Sequence, residues 1–219
     1  MVGYGRRLQM LAVALSSLAG FVDALGFITL GGIFVSFMSG NSTRLSVGIA
    51  DGMWQHVGIV AGVLGLFVVG VVLGGIVAEL TDHSRRTRKT AVLATVTALL
   101  LIGSIGASMD LAPLAVVAMV LAMGVENAVF RRRGEVSIAL TYMTGALVKI
   151  GHRIAAAFFG GPRWSWLPYL ALWSGLIAGA VLGALAHRVL GLDALWIATG
   201  VSGALTVGVR FLRYRPGRR

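Results

Sequence analysis

Cysteine is absent from the 219 residues. That excludes disulfides, thiol redox chemistry and thiolate metal sites. Charge is scarce as well, at 12% of residues, and it clusters between long apolar runs. The motifs of common catalytic chemistry are missing: there is no HExxH, no GxSxG and no P-loop. The four histidines, His56, His83, His152 and His187, lie near the ends of apolar runs without metal-ligand spacing. An intramembrane hydrolase needs a nucleophile with a base partner at depth, and none is found. The sequence therefore reads as a non-enzyme with no cofactor.

What is present is hydrocarbon. Hydrophobic residues make up 57% of the chain and the mean hydropathy is +0.88. Apolar runs of about 18 residues or more recur, the length that crosses a hydrocarbon core of ~30 Å as helix. The runs are continuous rather than alternating, so they predict helices and not a β-barrel. The net charge of +11 does not point to nucleic acid, because the bases sit in short segments between runs, as cytoplasmic flanks do. The first run, after MVGYGRRLQM, reads as a retained span rather than a signal peptide.

Segmentation gives a helix from about Leu8 to Leu30, ending in Gly31-Gly32, then a segment from Ile33 to Ala50 and a polar loop from Asp51 to His56. Helices follow at Val57–Leu80 and Thr90–Ala107, joined by the loop Asp82–Lys89. A second series comprises Leu111–Phe130, a basic stop at Arg131–Gly134, Val136–Phe159, Trp166–Leu190 and Ala194–Phe211. Gly160-Gly161-Pro162 breaks the chain between two of these.

The two series repeat each other. Phe37-Met38-Ser39-Gly40 aligns with Tyr142-Met143-Thr144-Gly145, and in each copy a base follows, Arg44 and Lys149. Gly20-Phe21-Val22-Asp23-Ala24 resembles Gly124-Val125-Glu126-Asn127-Ala128, and Gly70 and Gly74 match Gly179 and Gly183. Ordered matches at near-constant offset imply a duplication. Arg6, Arg7, Arg85 to Lys89, Arg131 to Arg133 and the tail Arg213 to Arg219 should all be cytoplasmic, with Arg188 the one exception. This orientation leaves room for one span plus a re-entrant or broken helix between Leu8 and Ala50. The expected fold is an all-α, polytopic membrane protein of one domain, 1–219. It has about six transmembrane helices in two inverted three-span repeats (8–107 and 111–211) and a basic cytoplasmic tail, 212–219. Both termini are cytoplasmic in an inner membrane.

The paired motifs supply the candidate substrate-binding residues: Met38, Ser39, Gly40, Asn41 and Arg44 in one copy, Met143, Thr144, Gly145 and Lys149 in the other. Ser39 and Thr144 read as helix N-caps, which would aim free N–H groups and a helix dipole into the membrane interior. The bland alternative is tight helix packing at Ser-Gly and Thr-Gly, with the bases reaching an interface. Asp23 and Glu126 are the acids well inside apolar runs, with Asn127 beside the second. Buried charge in a bilayer is expensive, so each acid is expected to meet Arg44 or Lys149, as an ion-coupled site or as a structural pair. Gly175, Gly179 and Gly183, like Gly70 and Gly74, read as helix-packing faces. Trp54, Trp164, Trp166 and Trp196 sit near span ends, as an aromatic belt predicts.

Gly20-Phe-Val-Asp-Ala-Leu-Gly-Phe, followed by Gly31-Gly-Ile-Phe-Val-Ser-Phe-Met-Ser-Gly-Asn-Ser-Thr, resembles the signature of the YoaK (DUF1275) family of bacterial membrane proteins, roughly GxxDAxGF…GGxFVSxMTGNT. Ser39 stands where that pattern has Thr. The resemblance implies membrane placement and gives weight to Asp23 and to residues 38–41; it implies no substrate. From the residues themselves, the leading expectation is a small secondary transporter or channel for a small anionic or zwitterionic solute, bound between the repeats. The alternative is a non-transporting scaffold or accessory protein. The partners expected are the lipid bilayer and a small solute, not nucleic acid, with a homo-oligomer left open.

Overall fold

The computed structural model describes residues 5–82, 84–132, 135–136 and 140–211. The tail 212–219, His83 and the bases beyond Arg132 in the run ending at Arg133 lie outside the described residues. Among the described residues the protein is all-α apart from one short antiparallel hairpin, β1 (Arg131–Arg132) with β2 (Glu135–Val136). The helices are α1 (Arg6–Thr29), α2 (Met38–Ala50), α3 (Trp54–Leu80), α4 (Arg85–Ser108), α5 (Ala112–Glu126), α6 (Met143–Phe158), α7 (Leu167–Leu190) and α8 (Leu195–Phe211). A 3₁₀ turn, Asn127–Phe130, prolongs α5, and another, Gly191–Ala194, joins α7 to α8.

Among the described residues, five helical segments are long and apolar enough to cross a membrane: Arg6–Thr29, Trp54–Leu80, Arg86–Ser108, Ala112–Phe130 and Leu167–Arg210. The last has 44 residues, about 66 Å of helix, twice the hydrocarbon thickness. Gly191, at φ 58°, breaks it where α7 ends. Pro113 and Pro168 stand in the first turns of α5 and α7, where a missing N–H costs nothing.

Glycine decides which helices touch. A Cβ on Gly175, Gly179 or Gly183 of α7 would run into the backbone of Val13, Ser17 or Phe21 of α1. On Gly70 or Gly74 of α3 it would run into Leu121 or Val125 of α5. Both glycine stripes are packing faces, as their spacing predicts. Both contacts run in the same chain direction, so α1 is parallel to α7 and α3 to α5. Helix α4 is antiparallel to α5, where Gly103 and Gly106 meet Ala118 and Leu114.

It is also antiparallel to α8, along a hydroxyl seam. Thr97 Oγ1 lies 2.8 Å from Ser202 Oγ and 3.0 Å from Thr206 Oγ1, and Ser104 Oγ lies 2.8 Å from Thr199 Oγ1. At its end Ser108 Oγ donates to Asp193 Oδ1 at 2.8 Å and accepts from Trp196 Nε1 at 3.0 Å. One face of the bundle therefore gathers the N-termini of α1, α4 and α7 and the C-termini of α3, α5 and α8. Helices α1 and α5 are the most deeply buried of the long helices, with Leu15, Val22, Leu25, Met119 and Met123 among their buried residues.

Two expected loops are shorter than the charge pattern suggests. Trp54 and His56 belong to α3, and Arg85 to Lys89 form the first turn of α4. Ser84 is the reason for the second: its Oγ accepts the Thr87 N–H at 3.0 Å and so caps the helix. Arg88 pairs with Asp82 at 2.8 Å, and Lys89 is buried with its ammonium 4.4 Å from the Phe130 ring centroid.

Candidate functional site

Helix α1 cannot continue past Leu30, because Gly31 and Gly32 take φ of 61° and 104°, backbone that glycine tolerates best. The chain then turns back along α1 as an irregular stretch, 33–37, bent at 35–36 and burying Ile33 and Val35. Non-helical backbone in an apolar setting needs partners for its N–H and C=O groups. Two side chains supply them. Asp23 Oδ1 accepts the N–H groups of Val35 and Ser36, each at 2.8 Å. Asn41, fully buried, accepts the Phe34 N–H at 3.0 Å and donates to the Phe34 carbonyl at 2.7 Å.

Helix α2 then starts at Met38, with Phe37 as its cap residue; α6 starts at Met143 with Tyr142 in the same role. The expectation that Ser39 and Thr144 are the caps is corrected: both stand inside the first turn and are exposed. The glycines explain the shift. Gly40 and Gly145 leave room for the Phe37 and Tyr142 rings to fold over the turn, where a Cβ would collide with them.

The expected acid–base contacts do not form. Arg44 instead stacks its guanidinium over Phe27 and Phe34, 5.8 and 5.6 Å from the ring centroids. Lys149 and Arg153 lie over Tyr169 at 5.6 and 5.3 Å. Glu126 is fully buried, and neither carboxyl oxygen has a hydrogen-bond partner. Asn127 turns back on its own helix, donating to the Met123 carbonyl at 2.9 Å. Two backbone N–H groups, not a base, are the partners that Asp23 Oδ1 finds.

A pocket of about 440 Å³ opens between α1 and α7 beside the irregular stretch 33–37, and its walls include Asp23, Phe27, Phe34, Leu176 and Ala180. It joins Asp23 to a ring cluster that Arg44 covers. Of the site residues expected from the sequence, Asp23 lines it, whereas Met38, Ser39, Gly40, Asn41, Arg44, Glu126, Asn127, Met143, Thr144, Gly145 and Lys149 do not. The sequence reading missed Phe27, Phe34 and the α7 wall. Phe27 was within reach, lying one helical turn after Asp23 on the same face. The role of Ser16 was missed too: its hydroxyl lies 3.3 Å from the Leu140 carbonyl and 3.1 Å from that of Leu172. Among the described residues no group of three or more His, Asp or Glu is placed to hold a metal ion.

The family described as "Protein of unknown function (DUF1275)" matches residues 11–208, both glycine stripes and both broken segments included. The chain belongs to this family. The DUF1275 chain is also 35% identical, over 187 residues, to the "UPF0700 transmembrane protein RA0705" of Rhizobium meliloti (strain 1021), covering 85% of this chain and 79% of that one. It is thus a multi-pass transmembrane protein in contact with the lipid bilayer. No solved structure matches it.

Proposed function

We propose that this DUF1275 protein is a small secondary transporter or channel for a small anionic or zwitterionic solute, and not an enzyme, with its site between two inverted repeats. The observation that carries the reading is the pocket at Asp23, formed by α1 of the first repeat and α7 of the second beside a broken membrane segment. Discontinuous helices that end inside a bundle of inverted repeats are the build of many transporters.

The packing supports the repeat. Gly20 lies against the Leu176 carbonyl of α7, and Gly124 against the Phe67 carbonyl of α3. Gly179 meets Ser17 while Gly70 meets Leu121, and Gly183 meets Phe21 while Gly74 meets Val125. Each pair is related by the alignment found in the sequence. In this reading α7 and α8 cross separately, giving six spans, and the basic face is cytoplasmic. The two broken segments support alternating access. One reaches Asp23 from the C-terminal end of α1; the other reaches Ser16 from its N-terminal end. Seven residues, about 10 Å of helix, separate the two.

The experiment is flux of labelled zwitterions and organic anions into liposomes holding the purified protein. Uptake above empty liposomes for at least one solute, lost in Asp23→Ala, is expected. No uptake across the panel favours the scaffold alternative.

A further inference from the structure

Helix α6 stands apart from the Asp23 pocket, whose walls include none of its residues. It has 16 residues, about 24 Å of helix, short of the ~30 Å needed to cross a bilayer. It passes the N-terminal end of α7 rather than running along it. Leu140, just before α6, shares the Ser16 hydroxyl with Leu172, and Arg153 meets Tyr169. The chain from 140 to 153 thus moves along α7 only from 172 back to 169, close to the start of that helix at Leu167.

The faces of α6 divide by chemistry. At about 100° per residue, Leu147, Ile154 and Phe158 fall on one stripe, and all three are exposed. Lys149 falls on the opposite side, flanked by His152 and Arg153. Phe158 is 84% exposed and Phe159, which follows it, 91%. Water penalises such surface and hydrocarbon does not. An apolar stripe opposite a basic one, on a helix too short to cross, is the build of a helix lying in the membrane interface.

The bases are held in place and lack an anion. Lys149 and Arg153, one helical turn apart, both lie over the buried Tyr169 ring, at 5.6 and 5.3 Å from its centroid. Among the described residues neither has an acid within ion-pair distance, and the sequence has no Asp or Glu between Glu135 and Asp193. Lys149 is exposed and Arg153 half-buried, so both remain open to a ligand.

We infer that α6, with Tyr169 of α7 behind it, is a binding site for the phosphate of an anionic phospholipid. The Lys149 ammonium and the Arg153 guanidinium take the phosphate oxygens, while the Leu147–Ile154–Phe158 stripe faces the acyl layer. A soluble phosphate would meet the same two bases, but it would leave that stripe in water; the stripe commits the site to lipid. A zwitterionic lipid presents the same phosphate together with a cation that the bases repel.

The test uses the full chain in detergent, with bound lipid counted by native mass spectrometry. The probes are phosphatidylglycerol, phosphatidylcholine with the same acyl chains, and inorganic phosphate. Each base near an anionic headgroup contributes roughly fivefold in affinity, so the wild type should prefer phosphatidylglycerol over phosphatidylcholine by about thirtyfold. Lys149→Gln combined with Arg153→Gln should remove most of that preference. Arg86→Gln combined with Arg210→Gln removes the same charge from α4 and α8 and should keep it.

Equal binding of the two lipids by the wild type overturns the inference. So does an equal loss in the Arg86 and Arg210 variant, because net charge alone then attracts the lipid. Displacement of phosphatidylglycerol by an equal concentration of inorganic phosphate overturns it as well, since the site then takes a soluble anion. If the doubly neutralised protein does not fold, Lys149→Arg and Arg153→Lys decide. Each keeps the charge and should keep the preference; its loss in both counts against the site.

Discussion

Val35 donates its backbone N–H to Asp23 Oδ1 at 2.8 Å, tying the broken segment to α1 twelve residues earlier in the chain. Ser36 makes the same bond. Replacing Asp23 by Ala strands both donors in an apolar setting, at about 1–3 kcal/mol for each. Asp23→Asn keeps an oxygen acceptor in place and should lose less than half as much. Thermal unfolding in detergent checks the order. If Asp23→Ala melts with the wild type, the carboxylate does not hold the segment.

Gly179 tests the α1–α7 seam. A Cβ there would overlap the Ser17 carbonyl, whereas around Gly62 of α3 nothing lies within 4 Å. Gly179→Val should force the helices apart and reduce folded yield severely, as overpacking by a few methyl groups costs ~1–3 kcal/mol or more. Gly62→Ala should be neutral or slightly stabilising, up to about 1 kcal/mol in helix propensity. Size-exclusion profiles of the two variants decide it. A monodisperse Gly179→Val protein of wild-type stability contradicts the packing.

Glu126 shares one face of α5 with Met119 and Met123, all three fully buried. A buried polar group without a partner weakens a fold, so Glu126→Met, similar in volume, should raise stability by about 1–3 kcal/mol. If the carboxyl is retained for transport, the same variant loses flux while it gains stability. A Glu126→Met protein less stable than the wild type shows that the carboxyl is engaged after all.

Helix positions, glycine faces and the break after Leu30 were legible in the sequence because each depends on local signals: apolar length, GxxxG spacing and a Gly-Gly pair. The site was legible only as a set of residue names. Asp23 and Asn41 stood out as polar groups in apolar surroundings, but what they bind is backbone up to 13 residues away, and no side-chain pattern marks a backbone partner. Charge alone suggested pairing Asp23 with a base; the rings of Phe27 and Phe34 took the base instead. The N-cap assignments at Ser39 and Thr144 failed for a related reason. Propensity favoured the hydroxyl, while packing of Phe37 and Tyr142 against Gly40 and Gly145 moved each helix start by a residue or two.

Charge also divides the two faces of the bundle, and this yields a topology test. Asp51 follows α2, Asp110 follows α4 and Asp193 lies in the turn after α7, all on the face opposite the N-termini of α1 and α4. Arg6, Arg7, Arg86 and Lys89 lie on the other face. Positive residues flank the cytoplasmic ends of spans, so the acidic face should be external. The absence of cysteine makes the test direct, because each introduced thiol is the sole target. In intact cells a membrane-impermeant maleimide should label Asp51→Cys and Asp110→Cys and leave Arg86→Cys unmodified until the cells are opened. Labelling of Asp51→Cys and Arg86→Cys from the same side contradicts the parallel and antiparallel packing itself, since α3 alone separates them. Labelling of Arg86→Cys alone keeps the fold and inverts it in the membrane. Arg188, near the acidic face at the end of α7, is the charge that opposes this orientation. Arg188→Glu should leave the labelling pattern unchanged, because the Arg and Lys residues of the opposite face outnumber it.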